Sequence, residues 1–300
     1  MKLIYVIILL LLLTGCQPRP QVPPENVPYE RYVEPINFTS NETNATKIEI
    51  KEDVFLPPKK DNLSIYINDI NGQSVIAIKK GISLLIDAGT EDDSQTIIKN
   101  LRNLGVNDLD YIILSNKLET SIGGLPYIII QTSPAIVYEG GKPSPFSSSF
   151  NLYKEIYPNA TLISTDKLLE FKDAFVKIMV PYDKGQGFLD QQEDNSVITK
   201  IKYKENNFLA MSNCHFECIE NIKDSDIKAD GLIIDGSCDS TTLSFLQKVN
   251  PQVVVITGEL CSETEDRFNF LDIPIYTTKE HGNIRIETNG NEFYLKYLKQ

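Results

Sequence analysis

Six side chains stand out as able to do chemistry: Cys214, Cys218, Cys238 and Cys261, with His215 and His281. Outside the cytosol, an even set of four cysteines reads as a disulfide framework, and four cysteines allow three pairings. Four thiolates could instead close a tetrahedral structural zinc site from Cys214, Cys218, Cys238 and either Cys261 or His215. A third chemistry is a thiolate nucleophile at Cys214 activated by the imidazole of His215. Neighbouring side chains usually point apart, and the sequence shows no third residue to orient that ring. His281 stands in the turn-like Glu280-His281-Gly282 and reads as a surface residue.

The redox reading depends on the compartment, which the N-terminus addresses. Lys2 is followed by an apolar run, Leu3 to Leu13, and then by Leu13-Thr14-Gly15-Cys16. That run is too short for a permanent membrane helix, which needs about 20 residues, and fits the apolar region of a signal peptide. Small residues before a cysteine have the form of a lipobox, with Cys16 lipidated. Residues 1–15 therefore read as a lipoprotein signal peptide, 16–60 as a tether and 61–300 as the globular domain. The protein is expected outside the cytoplasm, anchored to the membrane by lipid. The tether is rich in proline, which favours extended chain. Asn37, Asn41 and Asn44 open three Asn-x-Thr sequons in it, candidates for glycosylation, and Asn62 and Asn159 open two more.

A formal net charge of −12, with the lysines and arginines scattered, argues against direct contact with nucleic acid. The absence of tryptophan weakens an aromatic carbohydrate platform, although 14 tyrosines leave it open.

From Asn62 onward the chain alternates as short strands. These fall at Leu63–Asn68, Ser74–Lys79, Ser83–Ile86, Tyr111–Leu114, Ala135–Tyr138, Thr161–Ile163 and Phe175–Val180. More follow at Ser196–Tyr203, Asn207–Met211, Gly231–Ile234, Gln252–Ile256, Ile273–Tyr276, Asn283–Glu287 and Glu292–Lys296. Helical spacing falls at Asp92–Leu104, Phe150–Ile156, Phe216–Ile222 and Ser240–Val249. Two strand-rich halves with helices between them predict an α/β domain of two face-to-face sheets with helices outside.

Several strings, in order, resemble the external metallo-β-lactamase domain of ComEC-type DNA-uptake proteins. They are Asp69-Ile70-Asn71-Gly72-Gln73-Ser74, Leu85-Ile86-Asp87-Ala88-Gly89 and Leu109-Asp110-Tyr111-Ile112-Ile113-Leu114-Ser115. Ile122-Gly123-Gly124-Leu125, Asn195-Ser196, and Tyr276-Thr277-Thr278 through Gly282-Asn283-Ile284 continue the series. The resemblance runs from Asn62 to the C-terminus and implies a four-layer αββα sandwich. It also implies a zinc pair that turns bound water into a nucleophile. The family's His-x-His-x-Asp-His falls here on Asn116, Leu118, Thr120 and Ser121; its bridging Asp falls on Asn213, and its late His-His loop near Gly236 and Ser237. Two histidines in the whole chain cannot supply the four or five that such a site needs.

The resemblance therefore implies a degenerate metallo-hydrolase with no metal and no cofactor. In the resembled fold, Cys214, Cys238 and Cys261 lie on loops that converge on the former metal centre. Disulfides there would tie together what zinc once held, preferably Cys238–Cys261 with Cys214–Cys218, with Cys214–Cys238 as the alternative. Of the nearby acids, Asp87 matches a framework position that caps a turn, whereas Glu119, Asp235 and Asp239 could hold a weak cation or simply be solvated. Glu91-Asp92-Asp93 needs only capping and helix-dipole logic. The functional expectation is a non-catalytic binding or accessory module for an unidentified ligand or protein partner. The alternatives are a divergent hydrolase and an accessory to DNA uptake.

Overall fold

A computed structural model of the chain describes residues 54–142, 147–181, 188, 191, 193–222 and 226–297. The signal peptide, Cys16 and the sequons at Asn37, Asn41 and Asn44 lie outside the described residues. Among the described residues no helix is long and apolar enough to cross a membrane.

The strands in chain order are β1 (Leu63–Ile67), β2 (Val75–Lys79), β3 (Ile82–Ile86), β4 (Tyr111–Leu114), β5 (Ile136–Glu139), β6 (Thr161–Leu162), β7 (Lys167–Phe171) and β8 (Ala174–Met179). They continue with β9 (Ile198–Tyr203), β10 (Asn206–Met211), β11 (Gly231–Ile234), β12 (Val253–Ile256), β13 (Ile275–Thr277), β14 (Ile284–Thr288) and β15 (Phe293–Tyr297). The helices are α1 (Ser94–Asn103), α2 (Glu119–Ile122), α3 (Leu125–Thr132), α4 (Ser148–Ile156), α5 (Phe216–Asn221), α6 (Leu243–Val249), α7 (Ser262–Phe270) and α8 (Thr278–His281).

One sheet has the order β15-β14-β1-β2-β3-β4-β5-β6 and the other β13-β12-β11-β10-β9-β8-β7. Each begins as an antiparallel meander and becomes parallel, at β3–β4 in the first and β10–β11 in the second. Parallel neighbours need a crossover, and α1, α3 and α4 supply it in the first sheet, α5, α6 and α7 in the second. The β2–β3, β7–β8 and β9–β10 hairpins each close through two residues. At Lys80-Gly81 both residues have positive φ, 48° and 82°, which glycine accepts without strain.

Alternation along the strands sorts the core into three layers. Leu63, Ile65 and Ile67 of β1 face Val176, Phe208, Val253 and their neighbours between the sheets. Tyr66, Ile76 and Leu85 point the other way, onto Ile97 and Leu101 of α1 and Ile128 of α3. Leu209, Leu232 and Val254 likewise meet Phe245 of α6 and Phe268 of α7. The architecture is helix, sheet, sheet, helix.

Several boundaries differ from those the sequence suggests. The Thr161–Ile163 strand keeps only two residues, and the helix expected from Ser240 starts at Leu243, with Thr242 as its N-cap. The strand β7 and the helices α2, α3, α7 and α8 go beyond the sequence reading. Val54 and Phe55, read as tether, are buried, and Phe55 stacks on Tyr66 with centroids 5.5 Å apart. Asn62 donates its side-chain amide to Glu287 at 2.8 Å, whereas Asn159 is exposed.

Candidate functional site

The loops that leave the parallel strands come together at one edge of the sandwich. Val197 N donates to the Ser115 carbonyl at 2.8 Å, joining the loop before β9 to the loop after β4. Asn116, in the first position that the resemblance assigns to a ligand, is fully buried. Its Nδ2 donates to Ser196 Oγ at 3.0 Å and Ser115 Oγ at 3.1 Å, and its Oδ1 accepts from Leu118 N at 2.9 Å. Ser196 Oγ passes the chain on to the Asn213 carbonyl at 2.9 Å.

Asn213 ends the β10 loop with φ 49°, a left-handed conformation that asparagine tolerates better than most residues. Its Nδ2 donates to Ser121 Oγ at 3.2 Å, with Thr120 Oγ1 3.5 Å away, and its Oδ1 accepts from Gln73 Nε2 at 3.2 Å. The turn that carries Gln73 is held close by Gly72, where a Cβ would collide with the Thr120 carbonyl and the backbone at Gly89. Leu118 is half-buried and offers no donor atom in its side chain. Neutral amides and hydroxyls thus meet one another where the resemblance expects ligands. These groups do not fit zinc, which takes thiolate, imidazole or carboxylate. Among the described residues no group of three or more His, Cys, Asp or Glu is arranged to hold a metal ion.

Asp87 lies beneath this network with φ 58°, accepting Ser115 N at 2.8 Å and Ser115 Oγ at 2.7 Å. Burial pushes its carboxyl up to about 6, against the hydrogen bonds from Ser212 and Ser115. Asp93 does not cap α1. Its carboxylate instead accepts Gly72 N and Thr90 N, both at 2.9 Å, and Asn71 N at 3.1 Å, fixing the Gln73 turn.

Between Asn116 and Leu118, Lys117 turns inward and donates to the carbonyls of Gly140 and Gly141. Glu139 lies 3.7 Å from it and takes Tyr153 Oη and Lys154 Nζ, each at 2.7 Å. Burial pushes Lys117 down to about 8, with Glu139 opposing. Burial works against the charge on Glu139 as well, but Lys154, Tyr153 and Lys117 outweigh it and hold its pKa below the usual range. Glu119 is exposed and accepts Ser149 Oγ at 2.7 Å, which ties α2 to α4.

The second sheet contributes a cluster missed by the sequence reading. Asp235 Oδ2 and Ser237 Oγ each lie 3.1 Å from His215 Nε2, and Asp235 Oδ1 accepts both Ser237 N and Ser237 Oγ at 3.1 Å. The hydrogen bond to Asp235 raises the His215 pKa, helped by Glu193 and Asp239 and opposed by burial. Asp235 is thus the orienting residue that the sequence did not reveal. It turns the ring away from nucleophilic catalysis: carboxylate and hydroxyl share one nitrogen, which therefore serves as a proton donor. In a Ser-His-Asp relay they occupy opposite nitrogens. Cys214 takes no part, because it is bonded to Cys218. The signal available in the sequence was position alone, since Met211 and Ile234 are register partners at adjoining strand ends.

The cysteines form two bridges, Cys214–Cys218 and Cys238–Cys261, with Cα separations of 5.4 and 5.2 Å. The first is wholly buried, and Cys218 Sγ lies 3.5 Å from the Ser196 carbonyl, directly under the Asn116–Ser196–Asn213 chain. The second joins the loop after β11 to the start of α7, with Cys238 exposed. His281 departs from the surface position expected of it. It ends α8, half-buried against the rings of Tyr276 and Tyr297, 5.3 and 4.5 Å away.

No protein-family model and no curated protein matches the chain. Solved structures do. Tm1679, a metal-dependent hydrolase of the beta-lactamase superfamily, superposes with a TM-score of 0.53 at 15% identity, over 72% of this chain and 95% of its own. The metallo-beta-lactamase fold protein YhfI from Bacillus subtilis gives a TM-score of 0.46 at 12% identity, over 72% and 96%. At such identities the likeness speaks for the fold alone. With two mixed sheets between helical layers, this chain has the metallo-β-lactamase fold.

Proposed function

We propose that the protein is a non-catalytic, extracytoplasmic binding module, anchored to the membrane by a lipid on Cys16. In this reading the scaffold of a metallo-hydrolase presents its former cleft to a ligand or protein partner. The observation that supports it most is the saturation of Asn213. Its amide is spent on Ser121 and Gln73, and its backbone carbonyl on Ser196, leaving the bridging position engaged within the protein. The His215 geometry supports the same reading, because a nitrogen that donates to Asp235 cannot take a proton from Ser237. The ordered strings that resemble ComEC-type domains, with Asn116, Leu118, Thr120, Ser121 and Asn213 at the ligand positions, support the same reading; an accessory role in DNA uptake is the alternative. Net acidity speaks against direct contact with DNA.

The test is metal analysis of the intact protein isolated from its native cells, combined with zinc titration and assays on phosphodiester and lactam substrates. The expected result is neither stoichiometric zinc nor turnover. Two tightly held zinc ions, with turnover lost on chelation, would overturn the proposal.

A further inference from the structure

The two bridges differ in a way that bears on reactivity. Cys214 and Cys218 are both fully buried, so an external thiolate has no line of approach to either sulfur. Cys238 is exposed, on a loop between β11 and α6. Its partner Cys261 is the N-cap of α7, a nine-residue helix. The first N–H groups of that helix have no intrahelical acceptor, and Cys261 Sγ, which accepts no capping hydrogen bond while bridged, belongs to the residue at that cap. A helix N-terminus lowers a thiol pKa and makes it the better leaving group. Glu263 and Glu265 in the same turn oppose this, but both are exposed, and Glu263 lies 3.8 Å from the Arg267 guanidinium.

A third observation concerns what remains when the bridge opens. Cys261 N donates to the Gly236 carbonyl at 2.9 Å, Thr264 Oγ1 to the Ser237 carbonyl at 2.7 Å, and Arg267 Nη1 to the Cys238 carbonyl at 2.8 Å. These three contacts hold the loop against the helix without the sulfur–sulfur bond, so the two thiols stay placed to close again.

We infer that Cys238–Cys261 is a reversible thiol–disulfide exchange site, whose substrate is a low-molecular-weight thiol or a reduced dithiol protein. The thiolate attacks Cys238 Sγ; a mixed disulfide forms there as the Cys238–Cys261 bond breaks, and Cys261 leaves as a thiolate. A second thiolate attacks the external sulfur of the mixed disulfide and expels Cys238 as a thiolate. Two external thiols are thereby oxidised to one disulfide, and the bridge takes up two electrons and, on protonation, two protons. The site is independent of the binding role proposed above.

The experiment treats the intact folded protein with graded ratios of reduced to oxidised glutathione. Alkylation quenches the reaction, and peptide mapping reads each bridge while circular dichroism follows the fold. Cys238–Cys261 is expected to open while Cys214–Cys218 stays closed and the fold is kept. Replacing the glutathione with oxidised buffer should restore the bridge. In a Cys261→Ser variant the glutathione adduct should accumulate on Cys238. Resistance of Cys238–Cys261 in the folded protein, opening of both bridges only with loss of fold, or an adduct carried on Cys261 in the unmutated chain would each overturn the inference.

Discussion

Asn213 Nδ2 reaches Ser121 Oγ at 3.2 Å, so that a side chain on the loop after β10 of one sheet ends on a side chain of α2, beyond β4 of the other. That contact is one of the fastenings that close this edge of the sandwich. Replacing Asn213 with alanine removes both amide hydrogen bonds and puts a less tolerant residue at a positive φ. A loss of about 1–3 kcal/mol is expected from denaturant unfolding. Zinc titration of the variant should remain as featureless as that of the parent. A gain of affinity for zinc on making the alanine change would contradict the fastening role.

His215 links stability to pH. Its folded pKa is raised through Asp235, so the stabilisation is fully present below the unfolded value of about 6.5. It is lost as pH rises through the folded pKa. Unfolding free energies measured from pH 5 to 9 should therefore fall across that window relative to a His215→Ala variant. Identical profiles for the two proteins would show the pair to be inert.

Asp87 acts with the same sign from a different cause. Burial lifts its folded pKa to about 6, above the ordinary carboxyl value of about 3.9. The folded state then keeps a proton that the unfolded chain has released, and stability falls as pH rises from about 4 to 6. Because Glu139 and Glu287, with lowered pKa values, contribute the opposite slope, the quantity to measure is the difference between the parent and Asp87→Asn. The stability of the parent relative to that variant should rise on acidification through this range.

The buried cluster around Glu139 has unequal members. Changing Glu139 to leucine strands the ammonium of Lys117 among carbonyls and removes the acceptor of Tyr153, and a cost of about 3–5 kcal/mol is expected. Lys117→Met leaves Glu139 with Lys154 and Tyr153 and should cost clearly less. Thermal melts of the two variants decide the order, and a reversed order would mean that Lys117 is held by its carbonyl partners alone.

Much of the fold could be read from strings whose local signals agree. Leu63 to Ile67 alternates cleanly, the Lys80-Gly81 turn carries its own glycine, and Tyr111 to Leu114 is a short apolar run bounded by polar residues. Other elements hid because packing overrides propensity. In α3, Ile128, Ile129 and Ile130 are β-branched and have low intrinsic helix preference, yet Ile128 and Ile129 bury against α1 and so hold a helix. In α7 only Thr264 and Phe268 are buried, too thin a stripe to register as a period. At the site, the want of imidazoles was legible from residue types, whereas the approach of His215 to Asp235 depends on the pairing of β10 with β11, which no local spacing encodes.

The segment before β1 is fastened more firmly than its proline-rich approach suggests. Tyr66 Oη and Arg285 Nη1 both donate to the Leu56 carbonyl, while Tyr203 Oη and the buried Lys79 both donate to that of Asp61. Four side chains drawn from both sheets thus grip two backbone oxygens at the entrance to the domain. A pull applied from the N-terminal side would load these anchors before it reached the strand behind them. Mechanical tension applied there would accordingly be shared between the two sheets instead of peeling one strand away.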